Sequence, residues 1–238
     1  MSNIEKDCAE DFNNWSLFIH QYLNDPFSLD LKKSKHQLNL IQDKILELNN
    51  PSLAYFFSVY YSYNLHKMQK VILNSSDAKY CFYFAKNIKN ADVKALEKNV
   101  IKSNNIKYIT KFTICIPNCN FKLLELLVLR SNKLKYIFKL GKKFNNLDKY
   151  KSIIIRANKP KYLFELAKYV KKEDLSKIED LLIKSNSYYY IRMLATKVKN
   201  ANIEKLESHI LSTNNVEEIK KFAKSVKKSK MKLFLIAD

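Results

Sequence analysis

Residues 76–103 read SDAKYCFYFAKNIKNADVKALEKNVIKS, and the same order of apolar, polar and turn residues returns in the segments that follow. The pairs that close these segments are Ser75-Ser76, Ser103-Asn104, Ser131-Asn132, Ala157-Asn158, Ser185-Asn186 and Thr213-Asn214. Four of the five steps are 28 residues and one, from Ser131 to Ala157, is 26. A fixed period of this size marks a solenoid, in which each unit buries its apolar face only against its neighbours. Such chains work by presenting an extended surface.

Laid on one another, the segments give a column of Tyr80, Tyr108, Tyr136, Tyr162 and Tyr190. Four residues on stand Phe84, Phe112, Leu140, Leu166, Leu194 and Phe222, followed by the small residues Ala85, Thr113, Gly141, Ala167, Ala195 and Ala223. A turn later come Ile88, Ile116, Phe144, Val170, Val198 and Val226. Spacing of i, i+4, i+8 is one face of an amphipathic helix, helix A of the unit. A polar break leads to Val93, Phe121, Leu147, Leu175, Ile203 and Met231, then Leu96, Leu124, Tyr150, Ile178, Leu206 and Phe234. Val100, Val128, Ile154, Leu182 and Ile210 complete an i, i+3, i+7 pattern, helix B. Asp92, Asn120, Asn146, Asp174 and Asn202 precede it as expected N-caps, whose side-chain oxygen accepts an orphan first-turn amide. Each unit is thus expected to be a helical hairpin.

The short step places two missing residues near Lys143–Asn146, in the A–B turn. Upstream, 50–75 reads as a divergent unit with Leu65, Met68, Ile72 and Leu73 in register. Before it, Leu38, Ile41, Ile45 and Leu46 repeat helix B, and Phe12–Leu23, with Trp15, Phe18, Ile19 and Tyr22, reads as a helix A broken by Asp25-Pro26. The expected architecture is all-α: a right-handed α-solenoid of about seven hairpins, elongated or curved, in one continuous domain. Its parts are an acidic helical cap over 1–48, repeats over 49–213 and a truncated capping repeat over 214–238.

A hydrophobic content of 47% supports a packed core, and a single glycine argues against strands, barrels and phosphate-cradling loops. No run of 18 apolar residues occurs, and the start is acidic (Glu5, Asp7, Glu10, Asp11), so an intracellular protein is expected, with nuclear entry open. Four cysteines, Cys8, Cys81, Cys115 and Cys119, without a secretory pattern fit reduced thiols.

The net charge is +20, and 40 of the 43 basic residues are lysine, usage that an AT-rich coding sequence also produces. Its distribution speaks for a selected surface: residues 1–50 hold 5 basic and 8 acidic groups, residues 101–200 hold 23 and 7. Lys79, Lys107, Lys135 and Lys161 form a column at the start of helix A, and Lys102, Arg130, Arg156 and Lys184 one at the end of helix B. With Lys133 and Lys159 they flank the turns between units and are the candidate residues for a partner or polyanion. Cations at helix C-termini also suit the helix dipole without any ligand. The opposite edge carries Lys86, Lys89, Lys142, Lys143, Lys168, Lys171, Lys197, Lys199, Lys224 and Lys227, diluted by Asp92, Glu173 and Asp174. The tyrosine column invites comparison with proteins that stack one base per repeat. A half-buried tyrosine with its hydroxyl at the rim is the simpler expectation.

Other constellations point to packing or solvation. Cys115-Ile-Pro-Asn-Cys119 lacks the further ligands of a zinc site, and Cys81 and Cys115 fall near the helix A core. His20, His36, His66 and His209 match no catalytic spacing. Glu97, Glu125, Glu179 and Glu207 lie early in helix B, where negative charge suits the dipole. Lys220, Lys221, Lys227, Lys228, Lys230 and Lys232 read as a solvated face, or as a nuclear signal or nucleic-acid tail.

The unit pattern, Tyr-x3-Phe-Ala-Lys, a break, then Asx-[VI]-x2-Leu-Glu-x2-[VI]-[IL]-x-Ser-Asn, resembles helical-repeat α-solenoids of the HEAT and tetratricopeptide kind over residues 50–235. Its shorter period is more similar to helical repeats in uncharacterised proteins of AT-rich viruses and phages. The resemblance implies a binding or adaptor role and carries over no catalytic residue, cofactor or metal. Two functions are expected to compete. One is a non-enzymatic adaptor presenting a basic extended surface to a protein partner, with an acidic one as an open option, favoured slightly because the fold class carries it. The other is a sequence-independent nucleic-acid binder using the lysine edge.

Overall fold

A computed structural model describes residues 9–23, 34–227 and 229–231, which contain fifteen α-helices and no strand. The contacts of the chain divide it into two compact units, Met1–Ser131 and Asn132–Asp238. In the first, α1 (Ala9–Leu23) and α2 (Lys35–Leu48) both pack on α3 (Pro51–Tyr61), which pairs with α4 (Leu65–Ser75). Two hairpins follow, α5 (Ala78–Asn87) with α6 (Val93–Lys102) and α7 (Ile106–Cys115) with α8 (Phe121–Arg130). The first helix of each also packs on the first of the next, α3 on α5 and α5 on α7. The second unit repeats the scheme with α9 (Leu134–Lys143) and α10 (Leu147–Ala157), α11 (Pro160–Ala167) and α12 (Lys172–Lys184), α13 (Tyr188–Lys197) and α14 (Ile203–Ser212). There α11 packs on α13, and α15 (Val216–Ser225) closes on α13 and α14.

The apolar columns are the core. Phe84, Phe112, Leu140, Leu166, Leu194 and Phe222 are each at most 1% exposed, as are Leu96, Leu124, Tyr150, Ile178 and Leu206. Burial of each such side chain contributes roughly 1.5–3 kcal/mol. The first helix docks through Trp15, which is stacked on Tyr60 at 6.1 Å and on Phe56 at 6.3 Å. Leu46 is an exception to the expected stripe of α2, lying at the surface while Ile41 and Ile45 are buried. The Asp25-Pro26 break, Cys8, Phe234, Lys228 and Lys232 fall outside the described residues.

The recurring Ser-Asn pair has a mechanical role. The hydroxyls of Ser75, Ser103, Ser131, Ser185 and Thr213 each donate to the carbonyl three residues back, at 2.6–2.8 Å. The next residue turns the chain with a left-handed φ of 46–54°, at Ser76, Asn104, Asn132, Asn158, Asn186 and Asn214. Asparagine tolerates that region better than most residues with a side chain, so it recurs where glycine is absent. Asp92, Asn120 and Asn202 cap helix B with their side chains as expected. Two columns members do otherwise. Asn146 makes no side-chain cap bond, and Asp174 lies inside the first turn of α12, which begins at Lys172. The Asp174 carboxylate is taken by Lys151 at 2.6 Å.

The short step lies where the sequence puts it. Five residues separate the helices of a hairpin at 88–92, 116–120 and 198–202, but only three at 144–146. This turn carries Asn145 at φ 50° and sends Phe144 outward, 41% exposed, against 8% for Ile88 and 4% for Ile116. Phe144 is therefore not the core residue its column implied.

The glutamate column also has a different role from the one its position suggested. Glu97 Oε2 accepts the amide of Asn120 at 2.8 Å, and Glu179 Oε1 accepts that of Asn202 at 2.7 Å. Glu207 accepts the amide of Met231 at 2.8 Å and the hydroxyl of Ser229 at 2.7 Å. Gln69, one period upstream, does the same for Asp92 at 2.9 Å. The braces from Gln69, Glu97 and Glu179 each tie one helix B to the start of the next. Glu179 and Glu207 are buried, so their hydrogen bonds to the next repeat satisfy carboxylates that water does not reach, a role beyond the dipole match that their position suggested.

Candidate polyanion-binding surface

In the first unit the candidate cations lie at helix ends. Lys102 and Arg130 are exposed in the last turns of α6 and α8, and Lys107 is exposed in the first turn of α7 with its ammonium 5.3 Å from the Tyr108 ring. Lys79 differs: it is half-buried and ion-paired with Asp11 of α1, so a carboxylate of the N-terminal segment already occupies it. The tyrosines here are closed off. Tyr80 is 4% and Tyr108 9% exposed, below the half-burial expected of the column. Tyr55 packs on Tyr80 at 6.1 Å, Phe82 packs on Tyr108 at 6.2 Å, and Lys111 lies over the rings of Phe82, Tyr83 and Tyr108.

In the second unit the same columns open. Lys133, Lys135, Lys159 and Lys161 are all exposed and line one open groove of about 680 Å³ at the N-terminal ends of α9 and α11. Tyr136, Tyr162 and Tyr190 form its aromatic wall, each half-buried. Tyr162 is held by Phe138 at 6.1 Å and Tyr190 by Phe164 at 6.1 Å, the contact that Phe82 makes with Tyr108 in the first unit. A second open hollow of about 620 Å³ shares Lys135, Lys161 and Tyr162 and continues along α9 to Lys139, Lys142 and Lys143. Its one carboxylate, Glu165, is paired with Lys168 at 2.7 Å. Two edges that the sequence separates are thereby joined across a helix face by Lys139. The signal for it was present, because Lys139 occupies the column of Lys111. Arg156 is exposed beside a neighbouring hollow lined by Asn132, Leu134 and Ile153, and Lys184 is exposed at the end of α12.

Residues 132–171 hold 12 basic and 2 acidic side chains. The acids of the second unit are largely engaged elsewhere, Asp174 by Lys151, Asp180 by Lys205 at 2.8 Å, Glu218 by Arg192 at 2.9 Å and Glu204 by Lys230 at 2.8 Å. Lys221 of the C-terminal run is likewise paired, with Glu217 and Glu218.

Among the described residues no three histidine, cysteine or acidic side chains come together as metal ligands, and no helix is long and apolar enough to cross a membrane. Cys81 is buried, and burial together with Asp77 pushes its thiol up to about 12. Cys115 is exposed, not part of the core its position suggested, because it ends α7 just before the Pro117 turn. His209 is half-buried, with burial lowering its affinity for a proton, and it faces the Tyr188 ring at 6.3 Å. Comparison of the chain with protein-family models, curated proteins and solved structures found no match.

Proposed function

We propose that the protein is a non-enzymatic helical-repeat binding protein, a right-handed α-solenoid with a period near 28 residues, that takes a polyanionic macromolecule on its lysine-rich side. The observation that carries this reading is the groove of Lys133, Lys135, Lys159 and Lys161, which has no carboxylate in its lining. Clustered cations raise the local concentration of anionic partners and speed their association. The likeness of the repeat to HEAT and tetratricopeptide solenoids, whose role is to present surfaces, supports the same reading. The sequence alone leans to a protein as partner; tyrosines interleaved with the lysines favour a nucleic acid.

The test is retention on immobilised heparin, polyuridylate and polyglutamate at about 20–50 mM salt, where phosphate contacts are strongest. The wild-type chain is expected to bind at least one of them and to elute as salt rises. Reversing Lys107, Arg130, Lys135, Arg156 and Lys161 to Glu is expected to abolish retention with helicity unchanged, since exposed substitutions cost within about 0.5 kcal/mol each. Failure of the wild type to bind any polyanion at low salt overturns the proposal.

A further inference from the structure

We infer that the groove between α9 and α11 of the second unit is a binding site for single-stranded nucleic acid. Its phosphates lie along Lys133, Lys135, Lys159 and Lys161, and its bases rest against Tyr136, Tyr162 and Tyr190. This inference rests on the basic-surface reading above and specifies its ligand.

Three independent features converge on one ligand class. The first is charge: the groove has four exposed lysines and no carboxylate, and its continuation adds Lys139, Lys142 and Lys143. The second is aromatic access. Tyrosines of this column are shut in the first unit and half-open in the second, so the opening is local and not a property of the repeat. Packing of Tyr162 on Phe138 and of Tyr190 on Phe164 fixes those rings from behind and leaves their outer parts to the groove. The third is capping. The equivalent turns close α5, α7 and α15 with Asp77, Asn105 and Asn215, whose side chains accept first-turn amides. At α9 and α11 lysine stands in that place, Lys133 and Lys159, and no side chain caps the helix. Two helix N-termini without a side-chain acceptor, each beginning with a cation, face the groove, an arrangement that favours phosphate.

Each feature also narrows the ligand. An acidic peptide satisfies the lysines but offers the tyrosines a ring only where its own sequence supplies one, whereas every nucleotide carries one. A duplex keeps its bases stacked inside and reaches the same lysines with phosphates alone. A single strand offers both, since unstacked bases rest on aromatic side chains while a basic groove follows the backbone. All seven lysines and all three tyrosines accept any base. Lysine is a point charge without the planar fork that reads guanine edges, so binding is expected to be independent of sequence.

The experiment is fluorescence anisotropy of a labelled 15-nucleotide oligouridylate and oligodeoxythymidylate with the full chain, in competition with duplex DNA and with polyglutamate. Single strands are expected to bind in preference to both competitors, with a log–log salt slope of about −3 for four phosphates. Tyr162→Ala is expected to weaken binding about five- to hundredfold while Tyr162→Phe keeps it, which separates stacking from the hydroxyl and from folding. Tyr108→Ala, which alters a closed tyrosine of the first unit, serves as the control and is expected to leave affinity unchanged once the folded fraction is corrected by circular dichroism. Equal affinity for duplex or polyglutamate, or full affinity in Tyr136→Ala and Tyr162→Ala, overturns the single-strand assignment and leaves the basic-surface reading standing. Absence of binding to every polyanion removes both.

Discussion

Gly141 is the chain's single glycine, and it sits in a column that elsewhere holds alanine or threonine. Its φ is not left-handed, so conformational freedom is not the reason. A β-carbon at this position would stand 2.6 Å from Leu147 Cδ2 and 2.9 Å from Tyr150 Cδ2. Both neighbours are buried on α10, which the three-residue turn draws against α9. The missing two residues and the missing side chain are therefore one adaptation. Gly141→Ala is expected to destabilise the protein by about 1–3 kcal/mol, the usual cost of overpacking a tight core. Ala195→Gly, inside α13 of a hairpin with a longer turn, is expected to be destabilising for the opposite reason, a helix losing its alanine at about 1 kcal/mol. Thermal melting of the two variants decides it: an unchanged Tm for Gly141→Ala removes close approach as the cause. The sequence shows the column and the short step but not their connection, because a spacing carries no distance between helices.

At the scale of elements, hairpins are held to one another by braces as well as by apolar contact. The Glu179 carboxylate is 3% exposed and accepts the amide that opens α14, which otherwise has no partner within its own helix. Glu179→Ala is expected to cost about 1–3 kcal/mol, since it leaves a shielded donor unsatisfied, and Glu179→Gln less, since one carbonyl oxygen remains. Urea unfolding of the two variants checks this, and equal loss in both sinks the acceptor role. Apolar periodicity made the helices, their order and the buried stripe of Phe84 to Phe222 legible, because 3.6-residue spacing is a local property of the chain. Glu179 was legible only as a charge near a helix start. Its true partner lies 23 residues on, and only the packing of successive units brings that amide within reach. Asp174 failed as a cap for a related reason: α12 gains an extra turn at its start, and Lys151 claims the carboxylate.

At the scale of the whole chain, the charge bears on stability as well as on the proposed binding. Lysine columns were legible from sequence, but not which of them share a surface, since Lys139 joins two edges that the repeat sets apart and Asp11 withdraws Lys79. Nor did the sequence distinguish the closed tyrosines of the first unit from the open ones of the second, although Tyr55 packs on Tyr80 and Lys111 lies over Tyr108 in the former. A net charge of +20 repels itself in the folded state. Screening by salt shortens that repulsion to about 8–10 Å at 0.1–0.15 M and to about 3 Å at 1 M. Exposed ion pairs such as Lys221 with Glu217 weaken at the same time, but pairs in full contact with solvent contribute little, so repulsion sets the sign. The Tm is therefore expected to rise between about 20 mM and 300 mM sodium chloride and then to level off. The five-site reversal to Glu, which lowers the net charge from +20 to +10, is expected to melt higher than the wild type at low salt and to gain less from added salt. A wild-type Tm that is flat or falls with salt excludes an unbalanced surface and, with it, the electrostatic basis of the groove.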